Sequence, residues 1–192
     1  MKIYTGKGDA GNTRDYNGNC FRKDSEVINF LGTLDELNSH LGLVKAMLLN
    51  DDTWQFAWKS ACSFILKIQK NLMKLMSHIS DIKNEKYFIS DIDVSTIEKE
   101  IDRLLENIPK NHELIVPGKN IIEAQIQVAR TVARRAERLF FAVKNEQSPQ
   151  SQPAVLCPQA GAYLNRLSDY LFVLSQQESL INVNFINQIT GL

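Results

Sequence analysis

The sequence predicts an all-α protein, an up-and-down bundle of five helices that forms a single domain over residues 1–192. Apolar residues recur at steps of three and four in five segments, which is the period of amphipathic helices. No segment shows the apolar and polar alternation of a strand, and there is no internal repeat. A chain of 192 residues with 44% apolar and 23% charged residues is typical of one globular domain.

The first helix is expected to follow a long N-terminal arm. Residues 1–32 are rich in Gly, Asn, Asp and Lys and show little periodicity, which predicts an arm dominated by loops. Thr33 and Glu36 match a capping box, so the first helix is expected to begin at Thr33 and to end near Asn50.

The second and third helices are separated by a segment without periodicity. The second is expected to start after residue 52 or 53 and to run to about Ser80. Ser95 and Glu98 match another capping box, which predicts a third helix ended by Pro109.

Two further helices complete the bundle. The fourth is expected from about Asn120 to Lys144, and the fifth from about Ala162 to Gln177. Residues 145–161 between them carry three prolines, which predicts an irregular connection.

Charge and cysteine content argue against several classes of protein. The 22 Lys and Arg residues balance 22 Asp and Glu residues, whereas nucleic-acid-binding proteins normally carry a basic surplus. No apolar run of about 18 residues and no signal-peptide region is present, so we expect a cytoplasmic protein with no membrane partner. Three scattered cysteines and three scattered histidines predict reduced thiols and no protein metal site.

The first candidate site is the N-terminal segment 5–14 together with Lys23. Glycines at positions 6, 8 and 11 allow backbone amides to converge on an anion, and Lys7, Arg14 and Lys23 add positive charge. Thr13 adds a hydroxyl, but the segment lacks the Gly-Lys-Ser/Thr ending of a Walker P-loop. On these residues alone a flexible N-terminal turn is the simpler interpretation.

The second candidate site lies on the fourth helix. Arg130, Arg134, Glu137 and Arg138 share one face, and with Arg135 they leave a local surplus of three positive charges. The planar fork of arginine suits polyphosphates because it donates two parallel hydrogen bonds. A solvated face with ion pairs to neighbouring helices explains the pattern equally well.

The third candidate site lies on the fifth helix, where Asn165 and Asp169 share a face one turn apart. Asn165 offers a donor and an acceptor, as contact with a nucleoside requires, although hydrogen bonds between helices are the simpler interpretation. Asp35 is likewise most simply a favourable charge in the first turn of the first helix.

Five motifs follow one another in a fixed order along the chain. They are Lys2–Thr13, Gly32–Ser39, Val116–Gly118, Ala129–Arg138 and Leu164–Tyr170. Together they resemble the PduO-type ATP:corrinoid adenosyltransferases, the family that includes the human mitochondrial enzyme that makes adenosylcobalamin.

The resemblance implies a homotrimer of five-helix bundles with ATP bound between the N-terminal loop of one subunit and the arginine helix of its neighbour. The residues that would hold the triphosphate are Thr5, Gly6, Lys7, Gly8, Thr13, Arg14 and Lys23. The residues that would complete the nucleotide site, with Mg²⁺ among the phosphates, are Arg134, Arg135, Glu137, Arg138 and Asn165.

The implied reaction is attack by cob(I)alamin on the 5′ carbon of ATP, which expels triphosphate and forms adenosylcobalamin. Arg134 would stabilise the leaving group, and Arg130 would pair with Asp35 across the interface to order the corrinoid side. A corrinoid reductase and an adenosylcobalamin-dependent enzyme are the implied protein partners, beside the substrates ATP and corrinoid.

Several positions depart from the pattern of the family. Leu114 falls where the family has an aromatic plug that excludes the lower ligand of the corrinoid, and Gln127 replaces a frequent His. The other departures are Gly6, Lys7, Cys20, Val27 and Asn29. They leave open a non-catalytic trimeric sensor or carrier of ATP or corrinoid; a purely structural helical bundle is a third interpretation.

Overall fold

The computed structural model describes residues 4, 6–15, 17–50, 55–109, 114–145 and 156–190, with the side chains of 55–57 and 178–190 left aside. This part of the chain contains five α-helices, so the prediction of a five-helix fold is confirmed. The helices are α1 (Glu26–Leu49), α2 (Gln55–Ser80), α3 (Asp91–Leu105), α4 (Ile121–Asn145) and α5 (Gln159–Thr190). A 3₁₀ turn, Glu85–Tyr87, lies between α2 and α3.

The N-terminal arm is more ordered than the sequence predicts. It contains two antiparallel strands, β1 (Asn12–Arg14) and β2 (Cys20–Arg22), with Thr13 opposite Phe21. The carboxylate of Asp15 accepts from the backbone of Asn19 at 2.8 Å and closes the hairpin. The all-α prediction omits this hairpin because strands of three residues are too short to show an alternating pattern.

The start of α1 differs from the predicted start by seven residues. Ser25 is the N-cap, and its hydroxyl accepts from the amide of Ile28 at 3.4 Å. Thr33 is buried inside α1, where its hydroxyl donates to the carbonyl of Asn29 at 2.9 Å. The predicted capping box at Thr33 is therefore wrong, because the buried Phe30 extends the apolar stripe one turn further back.

The start of α3 also differs from the prediction. Its capping box consists of Ser90 and Asp93, in which each side chain accepts from the other's backbone amide, at 3.2 and 3.0 Å. The hydroxyl of Ser95 donates to the carbonyl of Ile92 within the helix, so the box predicted at Ser95 and Glu98 is wrong.

The remaining helix ends can be compared with the bounds that the apolar period predicts. The end of α2 at Ser80 and the bounds of α4 match the prediction within one or two residues. The third helix ends at Leu105, earlier than predicted, and α5 runs from Gln159 to Thr190, well beyond the predicted 162–177. The predicted start of α2 and most of the predicted 145–161 connection lie outside the described residues.

One continuous apolar core joins the helices. Helix α4 packs on α1 and α5, α1 packs on α2, and α3 packs on α5. A Cβ built at Gly161 would lie only 3.0 Å from Cε1 of Phe140, so the glycine allows close approach of α5 to α4. None of the helices in the described part of the chain combines the length and apolarity needed to cross a bilayer.

Candidate active site

The N-terminal loop and hairpin form an open pocket of about 620 Å³. Its lining residues are Lys7, Gly8, Asn12, Thr13, Arg14, Cys20 and Lys23. Five of the seven residues predicted for the triphosphate site therefore line one pocket; Gly6 adjoins it in the same turn, and Thr5 lies outside the described residues.

Backbone geometry explains the glycines of this loop. Gly6 and Gly11 have φ angles of +70° and +82°, which side chains with a Cβ rarely adopt. A Cβ built at Gly8 would lie 3.4 Å from Nζ of Lys23, and the amide of Lys23 donates to the carbonyl of Gly11 at 2.9 Å. The loop therefore folds against the end of the hairpin, with the Lys23 ammonium beside Gly8.

The pocket is electropositive. Lys7, Arg14 and Lys23 line it, and no Asp or Glu does so among the described residues. The guanidinium of Arg14 donates to the carbonyl of Gly18 at 3.0 Å, which holds the side chain on the hairpin without neutralising it. Three cations around one cavity make a site suited to a polyanion.

The arginines of α4 have different partners. Arg135 forms an ion pair with Glu36 of α1, and Arg138 donates to the backbone carbonyl of Arg134 at 3.1 Å. Arg134 is exposed, and its guanidinium has no hydrogen-bond or ion-pair partner among the described residues. The predicted cluster of arginines is thus divided, because Arg135 links two helices while Arg134 remains available to a ligand.

Helix α5 contributes the predicted Asn165 beside α4. Its amide donates to the carboxylate of Glu137 at 3.0 Å, so two predicted site residues are in contact. The side-chain oxygen Oδ1 of Asn165 accepts from Arg166 at 2.8 Å, and Arg166 also donates to Glu98 of α3 at 2.9 Å. Asp169 contacts the same guanidinium at 3.4 Å instead of a neighbouring helix.

Arg130 and Asp35 are not joined within one chain. Arg130 is half-buried and donates through Nε to the Oε1 atom of Gln127 at 2.6 Å. Asp35 is exposed in the interior of α1, so its interpretation as a first-turn charge is wrong. No ion pair between Asp35 and Arg130 occurs in the described part of the chain, and their predicted pairing between subunits stays a prediction.

An apolar pocket of about 460 Å³ lies at another part of the surface, where α3 ends and α5 passes. Its lining residues include Leu105, Ile108, Leu114, Val116, Phe172 and Val173. Leu114 is 99% exposed, so an apolar side chain stands at the rim of an apolar cavity with no cover from its own chain in the described residues.

The segment that carries Leu114 is tied to the start of α4. The buried carboxylate of Glu123 accepts from the amides of Gly118 and Lys119 at 2.7 and 3.2 Å. Asn120 caps the helix by accepting from the amide of Glu123 at 2.8 Å. Gly118 has a φ of +107°, which turns the chain sharply into α4.

The cysteines provide no activated nucleophile in the core. All three are free; Cys62 and Cys157 are buried, and burial raises the pKa of both thiols. A thiol with a raised pKa stays protonated at neutral pH and is a poor nucleophile. Cys20, in contrast, is exposed and lines the cationic pocket.

A family model described as cobalamin adenosyltransferase matches residues 3–178. The chain belongs to the cobalamin adenosyltransferase family. It is 32% identical over 181 residues to a corrinoid adenosyltransferase of Citrobacter freundii, with 92% of this chain and 94% of the relative covered. It is 34% identical over 177 residues to a corrinoid adenosyltransferase of Bacillus subtilis strain 168, with 92% and 86% covered.

A solved structure has the same fold. It is a variant of a PduO-type ATP:corrinoid adenosyltransferase from Lactobacillus reuteri, complexed with cobalamin and ATP. The TM-score is 0.77 at 27% identity, with 94% of this chain and 95% of the other covered.

Three contacts near the candidate site of this cobalamin adenosyltransferase family member were not predicted from the sequence. They are the Arg166–Glu98 bridge, the Glu123 anchor and the Gln127–Arg130 bond. The pattern Asn120-x-x-Glu123 is a capping signal and could have indicated the anchor. The other two contacts join side chains whose neighbours depend on helix packing, for which one sequence gives no signal.

Proposed function

We propose that this protein transfers the 5′-deoxyadenosyl group of ATP to the cobalt of cob(I)alamin or a related corrinoid and releases triphosphate. The observation that carries the proposal is the cationic pocket of the N-terminal loop and hairpin, which Lys7, Arg14 and Lys23 line together and to which no Asp or Glu contributes among the described lining residues. A triphosphate brings about four negative charges, which fits such a pocket.

The nucleotide site is shared between subunits of a homotrimer. Residues Thr5, Gly6, Lys7, Gly8, Thr13, Arg14 and Lys23 hold the triphosphate from one subunit. Residues Arg134, Arg135, Glu137, Arg138 and Asn165 complete the site from the neighbour. What supports this arrangement is that no residue of α4 lines the cationic pocket among the described residues, as we expect if the two halves of the site come from different subunits.

The chemistry needs positioning and charge stabilisation instead of a protein nucleophile. The electron pair of cob(I)alamin forms the bond between cobalt and the 5′ carbon, while the bond from that carbon to the phosphate oxygen breaks. The departing oxygen takes its electron pair with the triphosphate, whose negative charge Arg134 stabilises. Alignment of the two substrates supplies the rest of the acceleration.

The corrinoid occupies the apolar pocket beside Leu114. Leu114 presses on the face of the corrinoid that carries the lower ligand, and the pocket wall of Leu105 and Phe172 covers apolar surface of the macrocycle. Arg130 pairs with Asp35 of the neighbouring subunit and orders the edge of this site. A reductase must supply cob(I)alamin, and an adenosylcobalamin-dependent enzyme accepts the product.

Magnesium enters with the nucleotide. No group of three or more His, Cys, Asp or Glu side chains in the described part of the chain could hold a metal ion. A resident metal site on protein ligands therefore does not fit these residues, and Mg²⁺ takes its ligands mainly from phosphate oxygens, as it commonly does with nucleotides.

The experiment is an anaerobic assay with ATP, Mg²⁺ and chemically reduced cobalamin. We expect loss of the cob(I)alamin absorbance and formation of adenosylcobalamin and triphosphate, identified by chromatography. Binding of ATP without product would contradict the proposal and indicate a sensor or carrier. Absence of any thermal stabilisation by Mg-ATP would exclude nucleotide binding as well, because a ligand that binds only the folded state must stabilise it.

A further inference from the structure

Gln127 lies between Arg130 and helix α5, inside the bundle. Only 4% of its surface is exposed, and both ends of its amide are engaged. Its Oε1 accepts from Nε of Arg130 at 2.6 Å, and its Nε2 donates to Oγ of Ser175 at 2.9 Å. The Ser175 hydroxyl donates in turn to the carbonyl of Phe172 at 2.7 Å.

The direction of these hydrogen bonds is fixed by chemistry. The Nε–H of arginine can only donate, so the oxygen of Gln127 must face Arg130 and its NH₂ group must face Ser175. The hydroxyl of Ser175 can accept from Gln127 because its own proton goes to the Phe172 carbonyl. A buried amide held at both ends has one orientation, and it transmits that orientation to the guanidinium.

We propose that Gln127 is a positioning residue for the adenosyl transfer: it holds Arg130 by Nε and leaves the terminal amino groups of Arg130 for the corrinoid side of the site. This inference rests on the proposed function. The terminal amino groups of Arg130 have no partner among the described residues, although the side chain is half-buried. A half-buried guanidinium that is hydrogen-bonded only through Nε has its terminal amino groups available to a ligand or a neighbouring subunit.

The substitution Gln127→His would make the hydrogen bond to Arg130 dependent on pH. A neutral imidazole can accept from Arg130 through one nitrogen, whereas a protonated imidazole has only donors. The polar contacts in this part of the bundle join Gln127 to Arg130 and Ser175, Gln176 to Ser175, and the α1 residues His40 and Glu36 to other positions of α4. His40 contacts Gln125 and Glu36 contacts Arg135, so Arg130 is the only charged group in contact with Gln127 among the described residues.

The test compares Gln127→Leu and Gln127→His with the unaltered protein in the assay with reduced cobalamin. Gln127→Leu should lower kcat/KM for the corrinoid on the order of tenfold, because a hydrogen bond to a charged group is lost, with KM for ATP unchanged. Gln127→His should keep activity at pH 8 and lose it at acid pH, where the imidazole becomes protonated; burial and the neighbouring Arg130 place this loss below the ordinary imidazole pKa of about 6.5. The unaltered protein should show no such acid limb.

Gln69→Leu is the matched control, since Gln69 is a half-buried glutamine of α2 that donates to the Asn38 carbonyl at 3.1 Å and accepts from Lys45. Its kinetics should match those of the unaltered protein. A second readout does not need activity: the ¹⁵N–¹H resonance of Arg130 Nε, assigned with Arg130→Lys, should exchange with water faster in Gln127→Leu.

Two results would overturn the positioning role. One is unchanged corrinoid kinetics in Gln127→Leu, and the other is an Arg130 Nε resonance that exchanges equally fast with and without Gln127. If the unaltered protein forms no adenosylcobalamin, the proposed function fails, and the resonance still decides whether Gln127 holds Arg130.

Discussion

Arg134 differs from the other arginines of α4 in having no hydrogen-bond acceptor or carboxylate beside its guanidinium in the described residues. We expect Arg134→Ala to lower turnover by about 10²- to 10³-fold, because one donor to the charge that develops on the leaving group is removed. Steady-state kinetics with ATP and reduced cobalamin measure this, and circular dichroism should show unchanged helicity.

Lys144→Ala is the matched control for Arg134→Ala, since Lys144 is an exposed cation in the last turn of the same helix and lies outside the candidate site. Its turnover should equal that of the unaltered protein. Turnover of Arg134→Ala near the unaltered value would contradict the role of Arg134 in stabilising triphosphate.

Leu114 is the residue at which we expect the size of the side chain to matter most for the corrinoid. It is almost fully exposed at the rim of the apolar pocket. Leu114→Phe should raise kcat with cobalamin, because a larger ring covers more apolar surface and excludes the lower ligand better. An unchanged or lower rate would count against the plug, and Ile92→Phe, at an exposed position of α3 away from the pocket, should leave the rate unchanged.

Among the elements, α3 is expected to depend on pH through Asp93 of its capping box. Burial alone would raise the pKa of Asp93, but the amide and hydroxyl of Ser90, the ammonium of Lys74 and the amide of Asn71 together lower it. A carboxylate with a lowered pKa stabilises the fold above its unfolded pKa of about 3.9 and loses that contribution as pH falls through the folded value.

Asp93→Asn should therefore lower the free energy of unfolding at pH 7 and reduce its decrease between neutral and strongly acid pH. Urea denaturation at pH 7 and pH 3 measures both effects. Asp91→Asn, in the same first turn and exposed, should leave the acid dependence close to that of the unaltered protein. Equal acid dependence in both variants would contradict the role of Asp93.

The helix starts show what one sequence can establish about an element. Ser90 with Asp93 and Ser95 with Glu98 both match the capping pattern, and only the packing of the preceding segment decides between them. The number of helices was predictable because the apolar period continues over several turns, whereas a cap depends on one hydrogen bond. The hairpin was not predictable because its strands are too short to carry a period.

The candidate site was predictable to a similar extent. Glycine and cation spacing indicated the N-terminal pocket, in which Lys7, Gly8, Thr13, Arg14 and Lys23 do lie together. The different contact partners of the α4 arginines were not predictable, since they depend on which neighbouring helix presents a carboxylate. Arg134 and Arg135 are neighbours in the sequence and were assigned to one site, but they have different surroundings in the fold.

For the whole molecule, the decisive feature is that the two cationic surfaces do not share one pocket. The pocket of the loop and hairpin has no lining residue from α4 among the described residues, and the Arg134 guanidinium has no partner there either. If the halves meet across the interface of a closed homotrimer, each site contains the loop of one subunit and the arginine helix of the next.

Subunit mixing tests this arrangement. Lys23→Ala impairs only the loop half and Arg134→Ala only the helix half, so each variant alone should be nearly inactive. Trimers assembled at random from equal amounts of both contain some interfaces with two intact halves, and about a quarter of the unaltered activity should return.

Lys23→Ala mixed with Arg14→Ala should recover none, because both changes affect the loop half and every interface then keeps a defective loop. Recovery in neither mixture, with subunit exchange verified by differently tagged chains, would place both halves of the site within one chain.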